Sequence, residues 1–185
     1  MPSPTPSAET TAKALQAATL FAVSAASGAT LAGSIFTVPL LLDAPTPLML
    51  RLWARNMARA RDALLPADLL CSLGLAALAA LSSSSSSSRP AAARYCYAGA
   101  AALAAAIVPY TVLLVLPTNR KLLRRAELAS ALGPAAAGDE DEDVVRPADE
   151  PESSRFLVDH WGMLNLGRCA LLISSAALGF YATVL

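Results

Sequence analysis

A ten-residue stretch near the C-terminus gathers the side chains of this chain best suited to chemistry. It runs from Asp159 to Arg168 and opens the last apolar run of the sequence. In a helix, at about 100° per residue, Trp161, Asn165 and Arg168 share one narrow face, while His160 lies to its side. An arginine followed only by apolar sequence is costly in a bilayer unless it faces a partner, a cavity or the interface. The spacing therefore predicts that this face is directed at something polar.

The composition indicates a membrane protein rather than a soluble domain. The chain has 185 residues, of which 55% are hydrophobic and 15% charged, with equal numbers of basic and acidic side chains. Uncharged stretches run from 14 to 42, from 69 to 88, from 95 to 119 and from 169 to 185. Since a helix needs roughly 20 apolar residues to cross a bilayer, these stretches predict four spans. The balanced charge gives no reason to expect a nucleic-acid partner.

The predicted fold is all-α, an integral membrane four-helix bundle within one domain over 13–185. The spans are expected at about 14–42, 64–81, 92–116 and 156–184, after a disordered N-terminus at 1–12. Flexible loops are predicted at 82–90, which is rich in serine, and at 126–153, which carries five consecutive acids. Pro109 lies inside the third span and should kink it, because proline removes a backbone hydrogen bond.

Residues 43–61 suggest an amphipathic helix that lies at the membrane surface between the first two spans. Arg51, Arg55 and Arg59 recur every four residues, and Trp53 and Met57 lie on another face. This pattern is typical of a helix with arginines towards the headgroups and tryptophan inserted in the bilayer. A solvated charged loop is the alternative.

The distribution of basic residues predicts the orientation. Ten of them lie in the connections between spans 1 and 2 and between spans 3 and 4, against three on the other side. The positive-inside rule then places those connections in the cytosol and both termini in the lumen, with the endoplasmic reticulum as the default membrane. The three cysteines show no ligand spacing, so we expect buried thiols and no metal site.

Landmarks on all four predicted spans resemble one known family. In order they are Pro39, Trp53, Pro66, Pro109-Tyr110-Thr111, Pro117-Thr118-Asn119 and Trp161-x3-Asn165-x2-Arg168. Together they resemble the fungal anthrone oxygenase family over about residues 18–180. That family belongs to a larger group of small four-span membrane proteins. Two positions depart from its pattern: Asn165 stands where histidine is frequent, and Asn56-Met57 stands where a tyrosine is frequent.

The resemblance implies an activity and its requirements. Enzymes of this family oxidise an anthrone, a flat aromatic polyketide with a doubly activated methylene, to an anthraquinone in secondary-metabolite biosynthesis. Molecular oxygen is the co-substrate, and no metal or flavin cofactor is expected. The partners are then the lipid membrane and a small aromatic polyketide, with a homo-oligomer left open. The alternative function is a non-catalytic scaffold or partner subunit with the same four-helix fold.

The implied chemistry gives each candidate residue a role. Arg168 would hold the enolate oxygen or a phenolic oxygen, and Asn165 would orient it. His160 is the candidate for the base, since it is the only side chain whose unperturbed pKa suits one near neutrality, but the base stays unassigned. The predicted substrate-binding residues are Trp161, which would stack on the substrate, together with Tyr110, Asn119 and Trp53. Bland alternatives stay open: an interfacial anchor for Trp161, a headgroup-level position for His160, and a helix terminator for Asn119. For Arg168 they are snorkelling or a structural pair with a carboxylate such as Asp68.

Overall fold

The computed structural model describes residues 8–82, 90–131, 147 and 150–185. Within these ranges every regular element is helical, which confirms the predicted all-α class. The elements in chain order are α1 (Ala8–Ala32), a first π-helical segment (Gly33–Thr37), α2 (Val38–Leu42), α3 (Thr46–Leu81), α4 (Ala91–Ala105), α5 (Ile107–Tyr110), a second π-helical segment (Thr111–Val115), α6 (Leu116–Ala131) and α7 (Ser154–Val184).

Four stretches of the described chain are long and apolar enough to cross a membrane, as predicted. They are Glu9–Leu42, Thr46–Leu81, Ala91–Ala131 and Ser154–Val184. Their length and composition are compatible with a membrane protein. The first helix starts earlier than expected, so the prediction of disorder is wrong for residues 8–12, while residues 1–7 lie outside the described part.

The predicted interfacial helix does not exist as a separate element. Residues 46–61 are helical, but they form the first half of the 36-residue α3, which continues through Pro66 into the expected second span. Trp53 is fully buried in a protein core instead of being inserted in lipid. The periodicity was correctly recognised as helical, and its apolar face packs against other helices of the same chain. Proline inside α3 removes one hydrogen bond without ending the helix.

The third long stretch is interrupted near Pro109, as predicted. Helix α4 ends at Ala105 and α5 starts at Ile107, since Pro109 has no N–H to donate to the Ala105 carbonyl. Helix α6 then extends to Ala131, beyond the predicted end of the span, so residues 126–131 of the expected loop at 126–153 are helical. The acidic run at 139–143 and the serine connector at 83–89 lie outside the described residues. Ser153 caps α7, because its Oγ accepts from the Phe156 N–H at 3.1 Å.

Both π-helical segments end two residues before a proline. In the first, the N–H of Val38 donates to the carbonyl of Gly33, one residue before Pro39. In the second, the N–H of Leu116 donates to Thr111, one residue before Pro117. The longer hydrogen-bonded turn accommodates a proline ring that would otherwise collide with the carbonyl four residues earlier. Such segments are frequent at functional sites.

The chain divides into two compact units, and each long helix contributes to both. The first unit comprises Met1–Ser27, Leu65–Ile107 and Ala170–Leu185. Its core contains Leu20, Leu75, Tyr97 and Leu172. Helices α1 and α3 approach closely at Gly74. A Cβ added there would lie only 2.6 Å from the hydroxyl oxygen of Thr19. Of the cysteines, Cys71 and Cys169 are buried and Cys96 is half-buried.

The second unit carries every residue that the sequence singled out for chemistry. It comprises Gly28–Leu64 and Val108–Cys169. Its core is built from α2, the first half of α3, α6 and the first half of α7. The buried apolar residues are Val38, Leu41, Met49, Leu50, Trp53, Val115, Leu122, Ala126, Ala129, Leu157, Val158 and Trp161.

Candidate functional site

Two tryptophans form the aromatic centre of the second unit. Trp53 of α3 and Trp161 of α7 pack edge to face, with ring centroids 5.7 Å apart and an interplanar angle of 86°. Both are buried, at 0% and 5% exposure. Edge-to-face packing is favourable because the positive edge of one ring meets the negative face of the other. The two tryptophans of the chain, far apart in sequence, are therefore neighbours, and neither side chain is exposed at the surface of the protein.

Asn165 and Arg168 continue the same face of α7, as the helical spacing predicted. The Nη1 of Arg168 donates to Oδ1 of Asn165 at 3.3 Å. Asn165 is buried, at 6% exposure, and Arg168 is half-buried. On the other side, Nδ2 of Asn165 lies 3.6 Å from the point that a Cβ on Gly33 would occupy. The carboxamide thus holds the guanidinium in one orientation, which fits the predicted role of Asn165.

Tyr110 has a different partner from the one predicted. Its hydroxyl donates to the backbone carbonyl of Leu164 at 2.9 Å, so its proton is directed at α7 rather than at a ligand. Gly167 provides the space for this contact. A Cβ added there would collide with the hydroxyl oxygen and lie 2.7 Å from Cζ of Tyr110. Tyr110 therefore fits a notch in the helix that carries the site.

A second notch on α7 was not recognised in the sequence. A Cβ added at Gly162 would lie 3.0 Å from Cγ2 of Val38, so the α2 segment packs directly on the helix backbone there. Beside it, the buried Ser34 donates to the Gly162 carbonyl at 3.0 Å. The feature of the sequence that could have indicated this contact is the presence of glycine within a helix. Glycine within a helix costs roughly 0.5–1 kcal/mol relative to alanine, so two of them beside site residues indicate close backbone approach.

His160 lies apart from the buried face. It is exposed, and its ring stacks on the exposed Phe156 one turn earlier, with centroids 5.9 Å apart. The structure therefore brings Trp161, Asn165 and Arg168 together with Trp53 and Tyr110 in one unit, but places His160 at its surface. Its predicted role as a base stays a prediction that the geometry does not favour.

Among the described residues, several buried polar atoms of the second unit have no hydrogen-bond partner. They include Nε1 of Trp53, a donor, Oδ1 of Asn119, an acceptor, and Oγ1 of Thr111; the first two belong to predicted substrate-binding residues. The side chains of Trp53 and Asn119 are 0% and 4% exposed. Buried polar groups in folded proteins are nearly always paired, so each requires a partner beyond the described residues, such as water or a bound molecule. A bound molecule with one acceptor and one donor meets that requirement for Trp53 and Asn119. The same described ranges contain no cluster of three or more His, Cys, Asp or Glu side chains placed to hold a metal ion.

An ion cluster near the start of α7 was missed by the sequence analysis. Arg125 of α6 belongs to the basic run that follows the third apolar stretch, and it is fully buried. Its guanidinium donates to Oε2 of Glu150 at 2.8 and 3.0 Å, to the Glu152 carbonyl at 2.8 Å and to Oγ of Ser154 at 3.0 Å. Such complete pairing is what allows an arginine to be buried.

Two further basic side chains hold the same segment. Lys121 donates to Glu152 at 3.1 Å, and this hydrogen bond is the main reason why the pKa of that carboxyl is lowered from its ordinary value. Arg155 donates to the carbonyls of Leu42 and Ala44, where the first long helix ends. The residues that lead into α7 are therefore fixed to α6 and to the α2–α3 turn, which sets where Trp161 begins the site.

Replacing Gly167 or Gly28 by alanine is expected to change the stability of the protein in opposite directions. Gly167→Ala should destabilise the protein by about 1–3 kcal/mol, the usual cost of overpacking, because its Cβ would displace Tyr110. Gly28→Ala, which has nothing within 4 Å, should be neutral or stabilising by up to about 1 kcal/mol. Thermal unfolding in nanodiscs measures both. Equal melting temperatures for the two variants would show that the notch is not filled.

The comparison with known families agrees with this geometry. The family model described as anthrone oxygenase matches residues 53–178, more than half of the chain. The chain belongs to the anthrone oxygenase family. The match starts at Trp53 and includes Trp161, Asn165 and Arg168, so the family assigned from spaced landmarks is confirmed. Among curated proteins and solved structures, none matches this chain.

Most residues of the candidate site lie within the part of the chain that matches the anthrone oxygenase family. Gly162 and Gly167 lie within the matched range, as do Tyr110 and the buried Arg125. Ser34 lies before it, on the first π-helical segment. The family assignment therefore rests on the three later long helices, and the contribution of the first helix to the site is established only by its contacts.

Proposed function

We propose that this protein is an oxygenase that converts an anthrone-type polyketide to an anthraquinone with molecular oxygen. The observation that supports it most is the half-buried Arg168, which donates to Asn165 on the helix face that also carries Trp161, in a chain of this family. Trp161 packs against Trp53 of α3. A flat aromatic ligand with one enolisable oxygen needs an apolar aromatic wall and one fixed cation, and this unit offers both.

The reaction balances without any further reactant. The substrate methylene loses a proton to give a delocalised enolate, which passes one electron to oxygen. The resulting radical and superoxide combine to form a C–O bond, and the peroxide takes up one proton. Loss of the second methylene hydrogen and cleavage of the O–O bond then release water and leave a carbonyl. Each turnover consumes one oxygen molecule and yields one quinone and one water. No cofactor is part of the proposal.

Arg168 acts on the charge that develops in the first step. Removal of the methylene proton moves negative charge onto the substrate oxygen, and a guanidinium directed at that oxygen stabilises it before oxygen reacts. Asn165 keeps the guanidinium in place through the 3.3 Å hydrogen bond, so less reorganisation is needed as the charge forms. In a low-dielectric core such an interaction is far stronger than in water.

The substrate would be oriented by the two polar groups, on Trp53 and Asn119, that have no hydrogen-bond partner in the described part of the chain. The Trp53 N–H would donate to a substrate carbonyl, and Oδ1 of Asn119 would accept from a phenolic hydroxyl. Trp161 would provide the aromatic surface beside them. Tyr110 has no direct part in binding in this proposal, because its proton is given to Leu164.

We assign the methylene proton to water rather than to His160, and this assignment has its own test. Because the imidazole is exposed and stacks on Phe156, away from the buried face, His160→Ala should retain most of the wild-type kcat. The pH dependence of kcat should also stay the same. A loss of tenfold or more, rescued by added imidazole, would restore His160 as the base.

The proposed reaction can be tested by isotope labelling. Membranes that contain the protein are supplied with an anthrone under ¹⁸O₂, and empty membranes serve as the control for autoxidation. We expect faster quinone formation, with one labelled oxygen per quinone in the excess product. A rate equal to that of empty membranes across several anthrones would leave the non-catalytic scaffold as the better account.

A further inference from the structure

The face of α7 that carries the site is held from both flanks. At about 100° per residue, Gly162 lies to one side of the face formed by Trp161, Asn165 and Arg168, and Gly167 lies to the other. Val38 and Ser34, which follow α1, occupy the first flank, and Tyr110, from the third long helix, occupies the second. Neither contact uses the side chains of the face itself.

Both contacts are made to the backbone of α7. Ser34 donates to the Gly162 carbonyl at 3.0 Å, and Tyr110 donates to the Leu164 carbonyl at 2.9 Å. A carbonyl oxygen has two lone pairs, so it can accept such a bond while keeping its helical one. Hydrogen bonds to backbone atoms fix the position of the helix itself, whereas a bond to a side chain would fix only its rotamer. The side chains that fill the notches at Gly162 and Gly167 also oppose sliding of α7 along its axis.

The two donors come from the irregular parts of their own helices. Ser34 is the second residue of the π-helical segment Gly33–Thr37, and Tyr110 immediately precedes the segment Thr111–Val115. A π-helical turn shifts the direction of the residues that follow it relative to an α-helix. Each donor therefore lies at or directly before the start of an irregular turn that leads to a proline, Pro39 or Pro117.

We propose that Ser34 and Tyr110 are positioning residues that fix the rotation of α7 about its axis, and so direct Trp161, Asn165 and Arg168. A rotation by one residue would move this face by about 100° and remove the arginine from the core. Two contacts on opposite flanks resist rotation in both senses, whereas one would act only as a pivot. The structural part of this proposal stands alone, and its consequence for catalysis rests on the proposed function.

The tryptophan pair allows a test that needs no activity. Trp53 and Trp161 are the two tryptophans of the chain, and their mutual angle depends on the rotation of α7 relative to α3. In Ser34→Ala and Tyr110→Phe, the near-UV circular dichroism of the long-wavelength tryptophan bands should fall to about half or less. Where quinone formation is measured, kcat should fall by about tenfold or more with little change in KM, because misplacement by about 1 Å costs up to 100-fold.

Matched controls separate rotation from loss of a hydroxyl group. Ser24→Ala removes an exposed hydroxyl that donates within its own helix to Leu20, and Tyr181→Phe removes an exposed phenol. Both should leave the tryptophan bands and kcat unchanged, and Ser34→Thr should restore the signal lost in Ser34→Ala. Wild-type tryptophan bands in both test variants would overturn the proposal. If the two variants lose the tryptophan bands and the wild-type protein forms no quinone, the positioning role is supported and the proposed function is contradicted.

Discussion

Replacing Arg168 by alanine is expected to lower kcat for quinone formation by about 100-fold or more. The loss follows from removing a fixed donor at the oxygen where charge develops, which typically costs a factor of 100–1,000. KM should change less, because the aromatic wall of Trp53 and Trp161 remains. Initial rates over a range of anthrone concentrations, corrected for autoxidation, give both values.

Three comparisons make that result specific to Arg168. Arg55→Ala removes an exposed arginine of the same unit and should keep full activity. Arg168→Lys keeps the charge but not the planar fork, so it should recover only part of the rate. Asn165→Ala should lower kcat by a smaller factor, since it releases the guanidinium without removing it. Full activity in Arg168→Ala would show that the charge is not used in the reaction.

Replacing Arg125 by alanine is expected to lower the free energy of unfolding by about 3–5 kcal/mol. This is the usual cost of breaking a buried ion pair, because Glu150 would lose its close partner and keep only Arg124, whose Nη1 lies 3.7 Å from Oε1. Arg125 is fully buried and makes four hydrogen bonds to Glu150, Glu152 and Ser154. Equilibrium unfolding in mixed micelles measures the difference.

The same helix supplies the controls for Arg125. Lys121→Ala breaks a partly exposed pair with Glu152 and should cost less than about 1 kcal/mol. Arg120→Ala removes an exposed arginine with no expected effect. In Arg125→Met/Glu150→Gln the buried charge of Glu150 is absent as well, so much of the lost stability should return. If Arg125→Ala were as stable as Arg120→Ala, the ion cluster would not hold the start of α7.

The apolar stretches were enough to predict the helices, because a bilayer admits few alternatives. Charges separated by long uncharged runs predicted four long helices, and the spacing of Trp161, Asn165 and Arg168 predicted their shared face. The interfacial helix was predicted wrongly for a physical reason. An apolar stripe containing Trp53 has the same period whether it faces lipid or another helix, so periodicity alone does not distinguish them.

The missed parts of the site depend on contacts between residues far apart in sequence. Arg125 pairs with Glu150 across 25 residues, and in the sequence it is one member of a basic run. Ser34 is one serine in an apolar run, and its partner is the Gly162 carbonyl, 128 residues away. Backbone acceptors leave no mark in a sequence. Only the glycines beside Trp161 and Arg168 indicated that another helix approaches there.

The most direct test of the account is the initial rate of anthraquinone formation by purified protein in lipid nanodiscs. Wild type and Arg168→Ala are compared at several protein concentrations, with empty nanodiscs for autoxidation. We expect a rate that rises linearly with wild-type protein and a slope at least about 100-fold smaller for the variant. A wild-type rate no greater than autoxidation, or equal slopes for the two proteins, would contradict the assignment of this face as the site of oxidation.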